Sequence, residues 1–298
     1  MTIPVEWITL AILLASMTTI IILERKYPYT KGLKFFREGF WIDLVWYTLI
    51  QSYFLKILIF DYLIRPVDER YHLSSLHLIS HWPVVLQVLF FLITHDMYIY
   101  WFHRWQHHSK VLWRTHEAHH SVTHVDWLAG SRSHVLEIII NQTIEFAPII
   151  LLGADPVVVP IKACMDAVWG MYIHSNIDVR SGKLQYVING PEMHQWHHAD
   201  HREVFYANYS TKLAIWDWIF GTAYLPDRKP EQYGLYYDYP RDYFLQHAYA
   251  IKKIDEEKLL ERNKTFRWYY SLRPKAMKLL TGKAQNEVRS TEDKVRST

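Results

Sequence analysis

Residues 7–23 contain no charged side chain and are mainly Ile, Leu, Thr, Ala and Met. A helix crossing a bilayer core takes about 20 apolar residues, with a range of roughly 17–25. This stretch therefore restricts the chain to folds that carry a membrane-length helix near its start. It does not read as a cleaved signal peptide, because Glu6 stands in front of it and no small-residue cleavage site follows. Arg25, Lys26, Lys31, Lys34 and Arg37 come next, and the positive-inside rule puts that end in the cytoplasm. Three more apolar regions follow: 44–64, interrupted by Lys56 and Asp61; 84–102, containing His95 and Asp96; and 135–173. The last is long enough for two arms, broken at Gly153-Ala154-Asp155-Pro156, which predicts a hairpin that enters and leaves on one side. The expected fold class is all-α, a multi-span helical membrane bundle of about four spans. Counted from the first helix, the ends near residues 102, 135 and 173 fall on the cytoplasmic face. Lys56, Glu137, Glu145, Lys162 and Asp166 are costly in hydrocarbon and are expected to point inward.

Composition excludes several other classes. The 298 residues include 13 Trp and 21 Tyr, too aromatic for a disordered chain. A single cysteine, Cys164, rules out a disulfide framework or a Cys-rich zinc site. A net charge of +3 gives no reason to expect nucleic acid. Residues 251–298 carry 13 Lys+Arg against 7 Asp+Glu. They are expected to form a solvated cytoplasmic tail near an anionic leaflet, with an amphipathic helix over 254–266 and a disordered polar end from Gly282. The expected organisation is N-terminal transmembrane helices over 1–83, a catalytic domain over 84–226 and a basic cytoplasmic tail over 227–298.

The chain has 18 histidines against 10 glycines, and 14 of the histidines fall between positions 95 and 201. His103 and His107 are four apart; His116, His119 and His120 are spaced i, i+3, i+4, as are His194, His197 and His198. Residues three and four apart share a helix face, so each group can aim its imidazoles at one point. Neutral imidazole is the commonest protein metal ligand. These groups supply eight donors and His174 makes nine; a closed zinc site needs about four, so two metals suit the count better than one. His72, His77, His81 and His247 read as ordinary surface or core residues, and His108 and His201 lie off the ligand faces. His95, His124 and His134 stay undecided. All-imidazole ligation does not select the metal, since Zn, Cu, Fe and Ni all accept it.

The ordered motifs resemble the fatty acid hydroxylase/sterol desaturase superfamily of integral membrane di-iron oxygenases. The likeness runs from Asp96 through Tyr100-Trp101 and His103-Arg104 to His107, then through Leu112-Trp113, His116, His119-His120-Ser121 and His174-Ser175-Asn176. It continues with His194, His197-His198, Asn208-Tyr209 and Trp216-Asp217 through Phe220-Gly221-Thr222. The resemblance implies a helical bundle with a cytoplasmic His-rich helical cap that binds two iron ions, with zinc in some purified forms. It implies that His103, His107, His116, His119, His120, His174, His194, His197 and His198 are the metal ligands. Some members have a further histidine four residues before the one matching His174; here that position is Gly170. His134 and Glu137 are similar to an element of sterol-type members and suggest a substrate-contacting or ligand-supporting role. Asp96, Glu117, Asp200 and Asp217 are candidates for orienting metal-bound imidazoles, as carboxylates commonly do.

The implied activity is hydroxylation or desaturation of a membrane lipid (a sterol, fatty acyl chain or alkylglycerol) with O2 and two electrons. No Gly-x-Gly-x-x-Gly fingerprint, Cys cluster or haem motif occurs in the sequence. A separate electron donor, a cytochrome or ferredoxin with its reductase, is therefore expected. Two other classes remain. One is a zinc-dependent membrane hydrolase, whose His-Glu-x-x-His mark is missed by one residue in His116-Glu117-Ala118-His119. The other is a non-enzymatic metal- or haem-binding membrane protein. A transporter would want its ligands near the bilayer midplane, whereas Arg104, Lys110 and Arg114 put these clusters outside the hydrocarbon.

Overall fold

Helix α1, Val5–Lys26, has only Ile20 and Glu24 buried, while Trp7, Ile12 and Ile22 project outward. A helix apolar on nearly every face suits a lipid surround. The computed structural model describes residues 3–253, 256–262, 264–265, 267–268 and 271–272. Among them the regular elements are helical and no β-strand forms; two isolated bridges, Pro28 with Ile177 and Ala199 with Tyr233, are the only extended pairings.

Helix α2 is one helical stretch, Ile42–Tyr71, with π-type segments at Ile42–Gln51 and Leu58–Ile64. Helix α3, Val84–His108, runs to an extended residue, Ser109, whose side chain accepts the Leu112 N–H and caps α4, Lys110–His120. Helices α5, Val135–Leu151, and α6, Val158–Ile173, form the expected hairpin. Its turn needs Gly153: φ is +68° there, and a Cβ would lie 2.5 Å from the Ser74 carbonyl oxygen. Short helices follow in the cap: α7, Pro191–His197, with proline at its first turn, and α8, Ile215–Ile219. Helix α9 is Tyr243–Ile251 and α10 is Glu256–Arg262.

Three helices, α1, α2 and α3, with 22, 30 and 25 residues, are long and apolar enough to cross a membrane. The hairpin arms α5 and α6 have 17 and 16 residues, about 25 Å each at 1.5 Å per residue, short of a core about 30 Å thick. Leu55, Ile59 and Ile64 of α2 meet Val88 and Phe91 of α3, Phe146 and Ile149 of α5 and Val158 of α6 in the main apolar core. Glu137, Glu145 and Lys162 are buried as expected, but Lys56 lies exposed on α2; a long stem lets an ammonium reach a polar boundary from an apolar face.

The compact unit extends to Ile251, and Lys252–Thr298 forms a second unit. Residues 227–251, expected to open the tail, pack within the first: Arg114 donates to the Tyr249 and Ala250 carbonyls, and the Tyr47 hydroxyl donates to Gln246 Oε1 at 2.5 Å. In the second unit α10 lies within the expected amphipathic helix, while the polar end from Gly282 falls outside the described residues.

A buried ion network ties the front of the chain to the cap. Asp43 accepts from Arg37 Nη1 at 2.8 Å and Arg132 Nε at 2.7 Å, and Arg37 Nη2 donates to Asp126 at 2.7 Å. Breaking such a network by removing one partner strands the others and costs about 3–5 kcal/mol. Asp43→Ala should therefore lower the thermal unfolding midpoint in detergent markedly; an unchanged midpoint would show that the network carries no stability.

Candidate metal centre

Helix α3 buries Val88, Phe91, His95, Phe102, His103 and Gln106 along one stripe, so its last two turns carry His103 and His107 inward. The corner at Ser109 folds α4 back against them. His103, His107, His116, His120 and His197 form one group, and His119, His174, His194 and His198 form a second. Within each group, one possible ligand atom per residue lies within 4.8 Å of the others, and every member is buried. All nine sequence-selected histidines are thus brought together.

They are divided differently from the motif expectation. Each motif was expected to aim at one point, yet the i, i+4 pairs stay together while the i+3 residue crosses over. His116 and His120 of α4 join the first group and His119 joins the second; His194 and His198 join the second and His197 joins the first. The cause is helical geometry. Successive residues are 100° apart around the axis, so i and i+4 nearly eclipse, while the residue beside the pair member points well aside.

Second partners fix the rings. His103 Nδ1 is 2.8 Å from the Tyr209 carbonyl oxygen, His197 Nδ1 2.8 Å from that of Ala207, His119 Nδ1 3.1 Å from that of Arg132, and His174 Nδ1 2.8 Å from that of Gly170. His116 Nδ1 lies 2.9 Å from Glu137 Oε1. A carbonyl or carboxylate can only accept, so each Nδ1 carries the proton and each Nε2 offers its lone pair to the centre. Burial, reinforced by neighbouring imidazoles, pushes His119, His120, His194, His197 and His198 well below the usual histidine range; burial pushes His174 down to about 4. These rings are neutral at pH 7, the state a metal requires.

The donor set fits a metal in each group. In the first, the Nε2 atoms of His103, His107, His116, His120 and His197 are buried with no hydrogen-bond partner among the described residues. In the second, His174 Nε2 sits 2.8 Å from His194 Nε2 and 3.3 Å from His119 Nε2, and His194 Nε2 sits 3.1 Å from His198 Nε2. With their protons on Nδ1, His119 and His174 turn two Nε2 lone pairs toward each other, an arrangement that an electrophile between them would stabilise.

Asn208 holds the carbonyl anchors. It has φ +58°, a left-handed conformation that Asn tolerates better than most residues, and its amide donates to the Met193 and Tyr224 carbonyls at 2.9 and 2.8 Å. The carbonyls on either side, Ala207 and Tyr209, then face His197 and His103. Asp217 fixes the same turn by accepting the Tyr209 and Ser210 N–H groups, both at 2.9 Å. Asp96 accepts from Thr211, Lys212, Leu213 and Trp216, each at 2.9 Å. Both aspartates brace cap loops and neither bonds an imidazole. His134 caps α5 by accepting the Leu136 N–H at 3.1 Å and stacks on His247, away from both groups. Glu117 accepts from Tyr237, and Asp200 lies in a shallow surface pocket beside Trp196. His124 belongs to neither group, and His108 and His201 are exposed.

A cavity of about 270 Å3 touches both groups through His103, His116, His119, His174 and His194. Between them and the far residues His95, Glu145, Asp166 and Lys212, the wall mixes Ile99, Phe102, Ile138 and Ile173 with Asn141 and Gln142. Gly170 also lines it, and a Cβ there would meet nothing within 4 Å. Gly130, which the sequence did not single out, is the opposite case: a Cβ would lie 2.4 Å from His174 Nδ1.

Residues 88–222 match the fatty acid hydroxylase family model. That region, which holds all nine histidines of the two groups, is similar to members of the fatty acid hydroxylase/sterol desaturase superfamily. An ornithine lipid hydroxylase of Rhizobium tropici is 34% identical over half of this chain and 45% of its own length. Human alkylglycerol monooxygenase is 32% identical over 47% of this chain and 31% of its own. Methylsterol monooxygenase 1 of Rattus norvegicus is 28% identical over 44% of each. The matched region spans less than half the length of these relatives. No solved structure matches the chain. The family uses iron, and its members together with the candidate spans mark this chain as a membrane protein.

Two substitutions test the geometry. Gly130→Ala should displace His174 and lower the metal content of the second group, at an overpacking cost of about 1–3 kcal/mol. Glu137→Gln should weaken metal binding about 10–100-fold, the usual effect of losing a carboxylate behind a metal-bound histidine. Both are read by metal titration of the purified protein, and wild-type affinity in either would refute the assigned contact.

Proposed function

We propose that the chain is a membrane-bound di-iron oxygenase that hydroxylates or desaturates a lipid with O2 and two electrons. The observation that carries this reading is the pair of buried imidazole groups opening onto one shared cavity walled in part by aliphatic and aromatic side chains. The nine histidines are the ligands, five for one iron and four for the other. Two irons held there would supply dioxygen activation and cleavage of an unreactive C–H bond. The protein's own part is geometric: Glu137 and the carbonyls of Arg132, Gly170, Ala207 and Tyr209 hold the donor nitrogens inward. Ile99, Phe102, Ile138 and Ile173 keep water from the cavity and seat a hydrocarbon segment.

The cavity volume, about 270 Å3, lies just below the usual span for ligand sites, roughly 300–1,000 Å3, so one segment of a lipid enters rather than a whole molecule. The named substrates of the relatives support a lipid of this kind. The catalytic region is 84–226. Electrons come from a separate cytochrome or ferredoxin with its reductase. The protein is multi-pass, with the histidine groups and C-terminus facing the cytoplasm, a topology supported by the basic residues that follow α1.

The full chain purified in detergent and loaded with iron should contain about two irons and form oxygenated lipid only when O2 and a reductant are present. His119→Ala or His197→Ala should abolish product and reduce the iron content to one per chain or less. Full activity in either variant would refute the ligand assignment. Metal-dependent ester cleavage without O2, or a haem Soret band, would overturn the oxygenase reading.

A further inference from the structure

The outer end of the cavity is lined by ionisable side chains that the metal centre does not use. Lys162 Nζ, fully buried, donates to Glu145 Oε1 at 3.0 Å and Asp166 Oδ2 at 2.5 Å and lies 3.3 Å from His95 Nδ1; Lys212 Nζ reaches Asp166 Oδ1 at 3.2 Å. His95, Glu145 and Asp166 lie close enough together to resemble a third metal site, but the Lys162 ammonium already bonds all three. The cluster contains two lysines and two carboxylates, and each ammonium is already held by a carboxylate. Its unmet capacity lies in hydrogen bonding. His95, more than nine-tenths buried, and Trp169, one helical turn past Asp166 on α6, both line the cavity, yet His95 Nε2 and the Trp169 indole N–H have no partner among the described residues. A hydrocarbon end placed here would seal these atoms from water and leave them unpaired, which is costly.

We propose that the outer end of this cavity receives the polar end of an amphiphilic lipid, an uncharged or zwitterionic group that both donates and accepts hydrogen bonds. The inference rests on the lipid-oxygenase reading and supplies its substrate class. His95 stands eight residues before His103 on α3, about 12 Å at 1.5 Å per residue. The oxidised carbon therefore lies within roughly that reach of the headgroup.

The test uses the full-length iron-loaded protein in detergent and four chain-matched probes: a long-chain primary amide, alcohol, carboxylate and alkane. Binding is read by competition against the radiolabelled amide. The amide and alcohol should bind at least about tenfold more tightly than the carboxylate and alkane. Asp166→Asn and the milder Trp169→Phe, which removes an indole N–H from the cavity wall, should reduce that preference severalfold while iron content stays at the wild-type value. Equal binding of amide and alkane to the wild-type protein would overturn the inference, and so would oxygenation at the far end of the chain. If the polar preference holds but no O2-dependent product forms, the oxygenase reading fails and this inference stands. If oxygenation proceeds without a polar preference, only this inference fails.

Discussion

A buried imidazole can present a lone pair only from the nitrogen without a proton, so the tautomer of each donor must be fixed before the centre can bind anything. Much of the cap serves that requirement. The Asn208 turn faces the Ala207 and Tyr209 carbonyls toward His197 and His103. The α6 terminus offers the Gly170 carbonyl to His174, and α5 brings Glu137 to His116. The Arg132 carbonyl that receives His119 is held by the same residue whose guanidinium binds Asp43, so the ion network at the front of the chain bears directly on a metal donor.

The long helices and the nine histidines were legible in the sequence because both depend on period and composition. Uncharged runs mark helices that can face lipid, and spacings of three and four mark one helix face. The division between groups was not legible, since it depends on how α4 and α7 are rotated toward each other. The acceptors behind the imidazoles were hidden for another reason. Four are backbone carbonyls, which any residue type supplies, so Ala207 and Gly170 leave no mark in the sequence. Glu137 was found because its acceptor is a side chain. Asp96 and Asp217 stood out through their motifs, but their role is to gather N–H groups in cap loops. Gly130 could be recognised only once His174 had been placed against it.

The hairpin α5–α6 carries the most costly side chains of the bundle, Glu145, Lys162 and Asp166, and packs them beside the cavity instead of against the apolar core formed with α2 and α3. Inward-facing ionisable groups in such helices need partners, and here they partner one another and border the space a substrate would occupy. The resulting cavity has the imidazole groups at one end, a mixed apolar and amide wall between, and a cluster of paired ionisable groups at the other.

Helix α4, and α7 together with its C-cap residue His198, each give a pair of imidazoles to one group and a single imidazole to the other, so the two groups are cross-braced through the same two backbones. Neither helix can slide, tilt or fray without disturbing donors on both sides. The two groups are consequently held side by side by adjacent residues, His119 beside His120 and His197 beside His198. A change in the surrounding loops or cavity walls can therefore alter what enters without moving the two groups apart.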